Sequence, residues 1–440
     1  MRGVIVLPAF AILFFSCHVH AADTCHTVAY TLSDGSQFVV QPNDAENRGY
    51  RFLDDTSARL YRAFENSHES GEGWAEREVN LPKPASTGCS ASTEQSGEGN
   101  AYMSLALSLD EKAPRWLIES NLPSFAVAYI RNGSVQWTRV YGVQAEGAPA
   151  TTETLYNVAS LAKPLSAEVI LRLVSASRLS LDEPLSNYWI DPDIDSDPRH
   201  EDLTLRLALS HQTGFKNWRY QTAGILRFDT APGTQFGYSG EGYEYARRFT
   251  ERKLKSSWTS LAREYLFAPV GMTNTAWTEQ PWFAGRMAIP YDSEKGYLQP
   301  SIQKTPSAAD DVYTTIGDYA AFLVSVMNRE GLSAVIAEQR ESMQVANPGT
   351  TAGCDAQRVS YCPERAGMGL GWEVLEFSDE KVLLHTGGDA GEQTMAFYYP
   401  AWRDGAIMFT NGNNGFQVMI PAIDLLFQGT QLADFAMSRR

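Results

Sequence analysis

Ser160 and Lys163, three residues apart in Tyr156-Asn157-Val158-Ala159-Ser160-Leu161-Ala162-Lys163, are the pair in this chain best suited to nucleophilic chemistry. A serine hydroxyl attacks a carbonyl carbon well only when an adjacent base takes its proton. Residues at i and i+3 share a helix face, so this spacing brings an amine to the hydroxyl if the segment is helical. Leu161, Leu165, Val169 and Leu173 recur at helical spacing behind the serine, and Pro164 falls in the first turn, where proline is tolerated. A serine at a helix start can equally be a plain N-cap, so the four letters alone leave both readings open.

The spacing recurs at Ser301-Ile302-Gln303-Lys304 and Ser378-Asp379-Glu380-Lys381. Those two lie in a proline-bounded loop and in a polar turn before a strand, where three residues of separation do not bring side chains together. Ser210-His211 is another nucleophile and base in sequence, but a catalytic pair is spatial, and the stretch reads as a structural loop. No Gly-x-Ser-x-Gly elbow is present. Asp191, Asp193, Asp195 and Asp197 alternate like the start of a calcium loop. Ser196 stands where glycine is needed, and Pro192 and Pro198 interrupt the run, so it reads as a solvated acidic loop. No metal or cofactor is implied.

The elements that must position Ser160 are legible from hydrophobic pattern. Phe125 to Tyr129 and Val135 to Val143, joined at Asn132-Gly133, predict a β-hairpin. Helical patterns dominate from Ser160 to about Val326. Strands return at Val374, Val382 to Leu384, Met395 to Tyr399 and Ala406 to Thr410. A sheet assembled from both chain ends with helices inserted between predicts an α/β plan with a separate helical lobe and a cleft between them.

Upstream, residues 1–22 read as an export signal: Arg2, an apolar run from Val4 to Phe15, and small residues ending at Ala21-Ala22. The run is shorter than the roughly 20 residues of a membrane span, which predicts an exported, periplasmic or secreted protein with no membrane span. Lipid attachment at Cys17 is the alternative. Residues 23–83 form a small module of unassigned function opening on a hairpin, Val28 to Leu32 and Gln37 to Val40. Residues 84–100, rich in Ser, Gly and Thr, read as a linker, and 101–440 as the main domain. Four cysteines remain after cleavage, and an even count in an exported chain favours disulfides. The short loop pairs Cys354 with Cys362 and leaves Cys25 with Cys89. Without the signal the chain carries 35 Lys and Arg against 52 Asp and Glu, a formal balance of −17. That argues against nucleic acid or anionic membranes as partners. Oligomeric state is not encoded legibly.

Two further stretches, Pro232-Gly233-Thr234-Gln235-Phe236-Gly237-Tyr238-Ser239-Gly240 and His385-Thr386-Gly387-Gly388, follow Ser160 in an order and spacing that resemble the second and third motifs of the serine β-lactamase-related family. That family includes class C β-lactamases, DD-peptidases and carboxylesterases, and Ser-x-x-Lys is its first motif. Leu207 to Phe215, Gly271 to Thr275 and Gly369-Leu370-Gly371-Trp372 resemble its structural signatures, and the likeness runs from about Leu122 to Gly415. It implies a β-lactamase/transpeptidase-like α/β fold, mainly antiparallel sheet flanked by helices plus an all-helical lobe, with a small N-terminal extension. It also implies Ser160 as nucleophile, Lys163 as its base and Tyr238 as the group that protonates the leaving group and activates water. A buried core tyrosine is the plain alternative for Tyr238. The N–H groups of Ser160 and Gly388 would hold the oxyanion. Gly240, His385, Thr386 and Gly387 would line the substrate site, with glycines admitting close approach.

Two departures stand out. The family's Tyr-x-Asn becomes Tyr238-Ser239-Gly240, removing an amide that would orient the lysine. Lys-Thr-Gly becomes His385-Thr386-Gly387, replacing a permanent cation by an imidazole mostly neutral at pH 7, whose protonation would restore part of the charge. Both point to an ester, amide or D-amino peptide substrate with weak or no β-lactamase activity. A catalytically idle cell-wall peptide-binding or scaffold protein of the same fold is the second reading.

Overall fold

The computed structural model describes residues 28–31, 37–42, 50–52, 97–351, 354 and 361–439. The signal, most of the linker, Cys17, Cys25 and Cys89 lie outside them. The chain divides into two compact units, Met1–Ala101 and Tyr102–Arg440. In the first, the strands Val28–Thr31, Gln37–Pro42 and Tyr50–Phe52 form an antiparallel sheet, one strand more than the hairpin pattern indicates. Gly97 to Asn100, which composition assigns to a linker, begin the helix Gly97–Glu119.

The second unit is built on a nine-stranded antiparallel sheet. Its order is Val345–Ala346, Arg365–Met368, Glu373–Glu376, Lys381–Asp389, Glu392–Tyr399, Asp404–Thr410, Ser124–Arg131, Ser134–Ala145, Ala148–Pro149. Strands from the two ends of the sequence meet inside it, with Phe125 opposite Thr410 and Gly405 opposite Ile130.

A strand's period of two places alternate side chains on opposite faces, and here both faces are covered. Phe125, Val127 and Tyr129 enter one core, with Met408, Phe397, Val418 and Leu426. Helices Gly97–Glu119, Phe416–Leu426 and Gln431–Ser438 supply that core's outer layer. Ala126, Ala128 and Ile130 enter the other core, with Ile407, Phe409 and the helix Ala162–Ser175. Every residue of that helix from Ala162 to Leu173 is buried. A helix covered all round belongs in a core centre, and its charges must be paired. Glu168 accordingly accepts from Arg340 at 3.1 Å and lies 3.5 Å from Arg172, all three being buried. Cys354 and Cys362 are joined, with alpha carbons 6.0 Å apart.

Candidate active site

Ser160 lies in a short 3-10 turn, Ala159–Leu161, immediately before the buried helix. It is not a capping residue, for no side-chain cap bond is made at either helix start. Ala159 has φ of +47°, left-handed for a residue with a Cβ, a conformation that persists only where surroundings hold it. Those surroundings are explicit. The Ala159 N–H donates to Asn157 Oδ1 at 3.0 Å, and the Val158 N–H to the Val312 carbonyl at 2.9 Å. The Thr394 hydroxyl donates to the Val158 carbonyl at 2.9 Å, and the Tyr319 hydroxyl to that of Leu161 at 2.9 Å.

Lys163, fully buried, lies with Nζ 2.9 Å from Ser160 Oγ and donates to the Ala309 carbonyl at 2.7 Å. Its Nζ also sits among three aromatic rings, 4.8 Å from the centre of Tyr238, 5.9 Å from Trp218 and 6.0 Å from Tyr243. Such faces attract a cation. The other two Ser-x-x-Lys runs make no such pair: Ser301 Oγ accepts from Gln303, and the Ser378 hydroxyl donates to Asp379.

A cavity of about 290 Å³ opens at Ser160, lined by Phe236, Tyr238, Asn347, Met368, Glu373, His385, Thr386 and Gly388. Of the residues sequence assigned to the site, Ser160, Tyr238, His385, Thr386 and Gly388 therefore share one space, with Lys163 beneath the serine. Gly387 and Gly240 do not line it, and their glycines have other causes. A Cβ at 387 would stand 2.3 Å from the Val158 carbonyl oxygen and 2.3 Å from Thr394 Oγ1, so this glycine lets the Lys381–Asp389 strand press against the serine turn. A Cβ at Gly388 would meet nothing within 4 Å. A Cβ at Gly240 would stand 2.6 to 2.8 Å from the ring of Trp218, which fills the space a side chain at that position would need. Ser239 is engaged as well, capping the helix Gly240–Leu254 and donating to the Lys216 carbonyl at 2.9 Å.

His211 stacks under Tyr238, ring centres 4.3 Å apart, and accepts from the Ser239 N–H through Nδ1 at 3.0 Å. Burial, then the charge of Lys163, holds its pKa well below the ordinary histidine value. It is a neutral seat for the tyrosine ring and does not line the cavity. His385 is neutral for the same two reasons, its pKa pushed down to about 3. Protonation therefore does not restore a cation at that position in the ordinary working range, contrary to the expectation from an unperturbed imidazole.

Asp310, beside the Ala309 carbonyl, is raised to about 7, chiefly by burial. Its carboxylate and those of Asp311 and Asp389 have oxygens within 4.8 Å of one another. This is the one set among the described residues close enough to share a cation; acidic proximity alone does not make it a metal site. The alternating aspartates are occupied otherwise: Asp191 pairs with Arg219 and Arg248, Asp193 with Arg219, and Asp197 with Arg199.

Sequence reasoning missed Trp218, Tyr243, the Ala309 carbonyl and Glu373. Glycine at 240 was the one available signal, since it marks a position where something large approaches.

The family model described as Beta-lactamase matches residues 104–430. The chain belongs to the β-lactamase family. Among curated relatives of this β-lactamase-family protein, the unguisins hydrolase ungD of Aspergillus violaceofuscus is 23% identical over 343 residues, 66% of this chain and 58% of that protein. This chain thus spans less than two thirds of that relative's length. Penicillin-binding protein 4 of Amycolatopsis lactamdurans is 23% identical over 323 residues, 67% of this chain and 82% of that protein. The solved D-alanine carboxypeptidase AmpC of Burkholderia cenocepacia superposes with a TM-score of 0.62 at 19% identity, covering 75% of this chain and all of that one. That likeness shows the β-lactamase/transpeptidase-like fold. No helix among the described residues is long and apolar enough to cross a membrane.

Proposed function

We propose that this protein is an exported serine hydrolase that forms an acyl-enzyme on Ser160 and prefers esters to β-lactams. The observation that carries the reading is the Lys163 amine 2.9 Å from the Ser160 hydroxyl, at the floor of a cavity shared with Tyr238 and Gly388. When the amine is neutral, the hydroxyl donates its proton along that line while Oγ bonds the substrate's carbonyl carbon. The oxygen of the tetrahedral adduct accepts from the Ser160 and Gly388 N–H groups. Donors of this kind are typically worth about 10²–10³ in rate each. Collapse breaks the bond to the leaving group, which takes the Tyr238 hydroxyl proton. In the second half-reaction water gives a proton to Tyr238 and its oxygen attacks the acyl carbon; Ser160 Oγ leaves with the proton that Lys163 returns, and the acid is released.

The ester preference rests on charge. Lys163 lies buried beneath Ser160, no Lys or Arg stands on the cavity's own walls, and its imidazole is neutral. A substrate carboxylate would lose its hydration without gaining a cation at position 385. The relatives' names, a hydrolase, a penicillin-binding protein and a D-alanine carboxypeptidase, agree with acyl transfer as the common chemistry. Export draws support from the Cys354–Cys362 bond, which persists in oxidising compartments. The second reading, an idle peptide-binding protein, is favoured by the absent amide at Gly240.

One experiment decides between them. A fluorophosphonate probe should label Ser160, and purified protein should hydrolyse short-chain acyl esters faster than D-amino-acid peptides and nitrocefin. Ser160→Ala should lose both labelling and turnover. Hydrolysis unchanged in that variant overturns the enzyme reading, and absent labelling of the folded parent favours the idle protein.

A further inference from the structure

Lys163 is a buried amine with little hydrogen bonding for its charged form. An ammonium group carries three N–H bonds. Its hydrogen-bond partners here are Ser160 Oγ at 2.9 Å and the Ala309 carbonyl at 2.7 Å, and no carboxylate among the described residues forms an ion pair with it. Asp310 acts on it through space, without a hydrogen bond. What surrounds Nζ instead is aromatic, and the three rings are not alike. Tyr238 passes a proton in the proposed reaction, and the Tyr243 hydroxyl is fixed on the Leu209 carbonyl at 3.0 Å. Trp218 has no such task, does not line the cavity, and stands just before the short turn Arg219–Thr222.

The chain on both sides of Trp218 is tied to the start of the helix Gly240–Leu254. Asn217 Oδ1 accepts from the Gly240 N–H at 2.8 Å, and the Asn217 carbonyl accepts from the Glu241 N–H at 3.0 Å. Arg219 closes the other side, its guanidinium 2.8 Å from Glu241 Oε2. These bonds bring the edge of the indole against Gly240: a Cβ there would stand 2.6 Å from Cη2 and 2.8 Å from Cζ2 and Cζ3. The missing side chain at 240 and the indole at 218 are therefore one feature. The same ring has its centre 5.9 Å from Lys163 Nζ. A ring face attracts a cation, and more strongly where water is excluded.

We infer that Trp218 is a positioning residue for Lys163. Its indole takes the space that a side chain at 240 would fill and presents a ring to the ammonium, whose charge appears when the Ser160 proton arrives. The inference rests on the hydrolase reading and assigns within it the group that takes over from the amide absent at 240.

The test separates a ring from mere bulk. Trp218→Phe and Trp218→Leu both lose the packing of the indole, and only the first keeps an aromatic face. The reagents are two p-nitrophenyl esters of different acyl length and a fluorophosphonate probe. Trp218→Leu should lower kcat/KM for both esters and the labelling rate of Ser160 by one common factor, roughly three- to thirtyfold. A common factor places the loss at the nucleophile, because a lost substrate contact would weigh differently on the three reagents. Trp218→Phe should stay within about threefold of the parent. Gly240→Ala presses a methyl on the indole and leaves Trp218 in the chain, so it reads the contact even where a Trp218 variant does not fold. It should lower the same rates roughly two- to tenfold in the parent and leave those of Trp218→Leu unchanged. Equal losses in Trp218→Phe and Trp218→Leu, or an equal effect of Gly240→Ala in both backgrounds, overturns the inference while Ser160 of the parent still labels. Turnover that survives Ser160→Ala, or a folded parent that neither turns over nor labels, overturns the hydrolase reading and this inference with it.

Discussion

The two walls of the Ser160 cavity differ in how closely they keep to the family pattern. On the helical side, Ser160, Lys163 and Tyr238 keep the residue types that acyl transfer needs, seated on the Ala309 carbonyl and His211. On the strand side, one residue has changed type, imidazole for ammonium at 385, and a carboxylate at 373 lines the same cavity. Bond-making groups must meet fixed distances and tolerate little change. A recognition wall answers to whichever charge the substrate carries. The contrast teaches that the residue types suited to bond-making can be kept while a wall beside them changes charge.

The largest expected effect tests the helical side. Lys163→Ala should lower kcat/KM for any accepted ester by roughly 10²–10⁴, the usual range for a positioned proton acceptor, with little change in KM. A loss confined to KM would move the lysine into recognition.

The strand side should show itself first in stability against pH. His385 has a folded pKa depressed to about 3, so it adds stability above the unfolded value near 6.5 that is lost as pH falls toward 3. The slope it supplies is at most about 1.4 kcal/mol per pH unit. His211, shifted the same way, adds its own share. Urea midpoints from pH 7 to pH 4 should therefore fall less steeply in His385→Asn than in the parent, and parallel curves would show that His385 is not held neutral by the fold.

A smaller effect separates two adjacent glycines. Gly387→Ala places a methyl 2.3 Å from the Val158 carbonyl and should cost about 1–3 kcal/mol of unfolding free energy, as overpacking does. Gly388→Ala meets open space and should stay within about 0.5 kcal/mol. Equal costs would mean that the strand does not press on the serine turn as described. Comparably small, His385→Lys should improve acylation by a carboxylate-bearing β-lactam by about 1 kcal/mol, on the scale of a solvent-accessible ion pair. No change would put anion recognition elsewhere.

How much of this was readable in advance follows from what each feature depends on. The Ser160–Lys163 contact needs only helical spacing, and the central strands only alternation, so both were legible. The Ala309 carbonyl is backbone, and no residue type announces it. Trp218 reaches Lys163 because the segment between it and Gly240 folds back, and Glu373 comes to the cavity of Ser160 from a strand more than two hundred residues on. Neither distance is written in local sequence. Gly387 reads in sequence as admitting close approach of substrate, whereas what approaches it is the protein's own chain.

The meeting of Ser124–Arg131 with Asp404–Thr410 has a consequence for biosynthesis. Nearly three hundred residues must be made between one partner strand and the other, and contacts so distant in sequence form late. While the ribosome works through the middle of the chain, the helix that carries Lys163 has no completed sheet to lie against. Its apolar surface stays open to chaperones or to neighbouring chains until the strands from Lys381 to Thr410 arrive. A nascent chain arrested before position 404 lacks a strand from the sheet's interior, so translation must pass that strand before the serine has its setting.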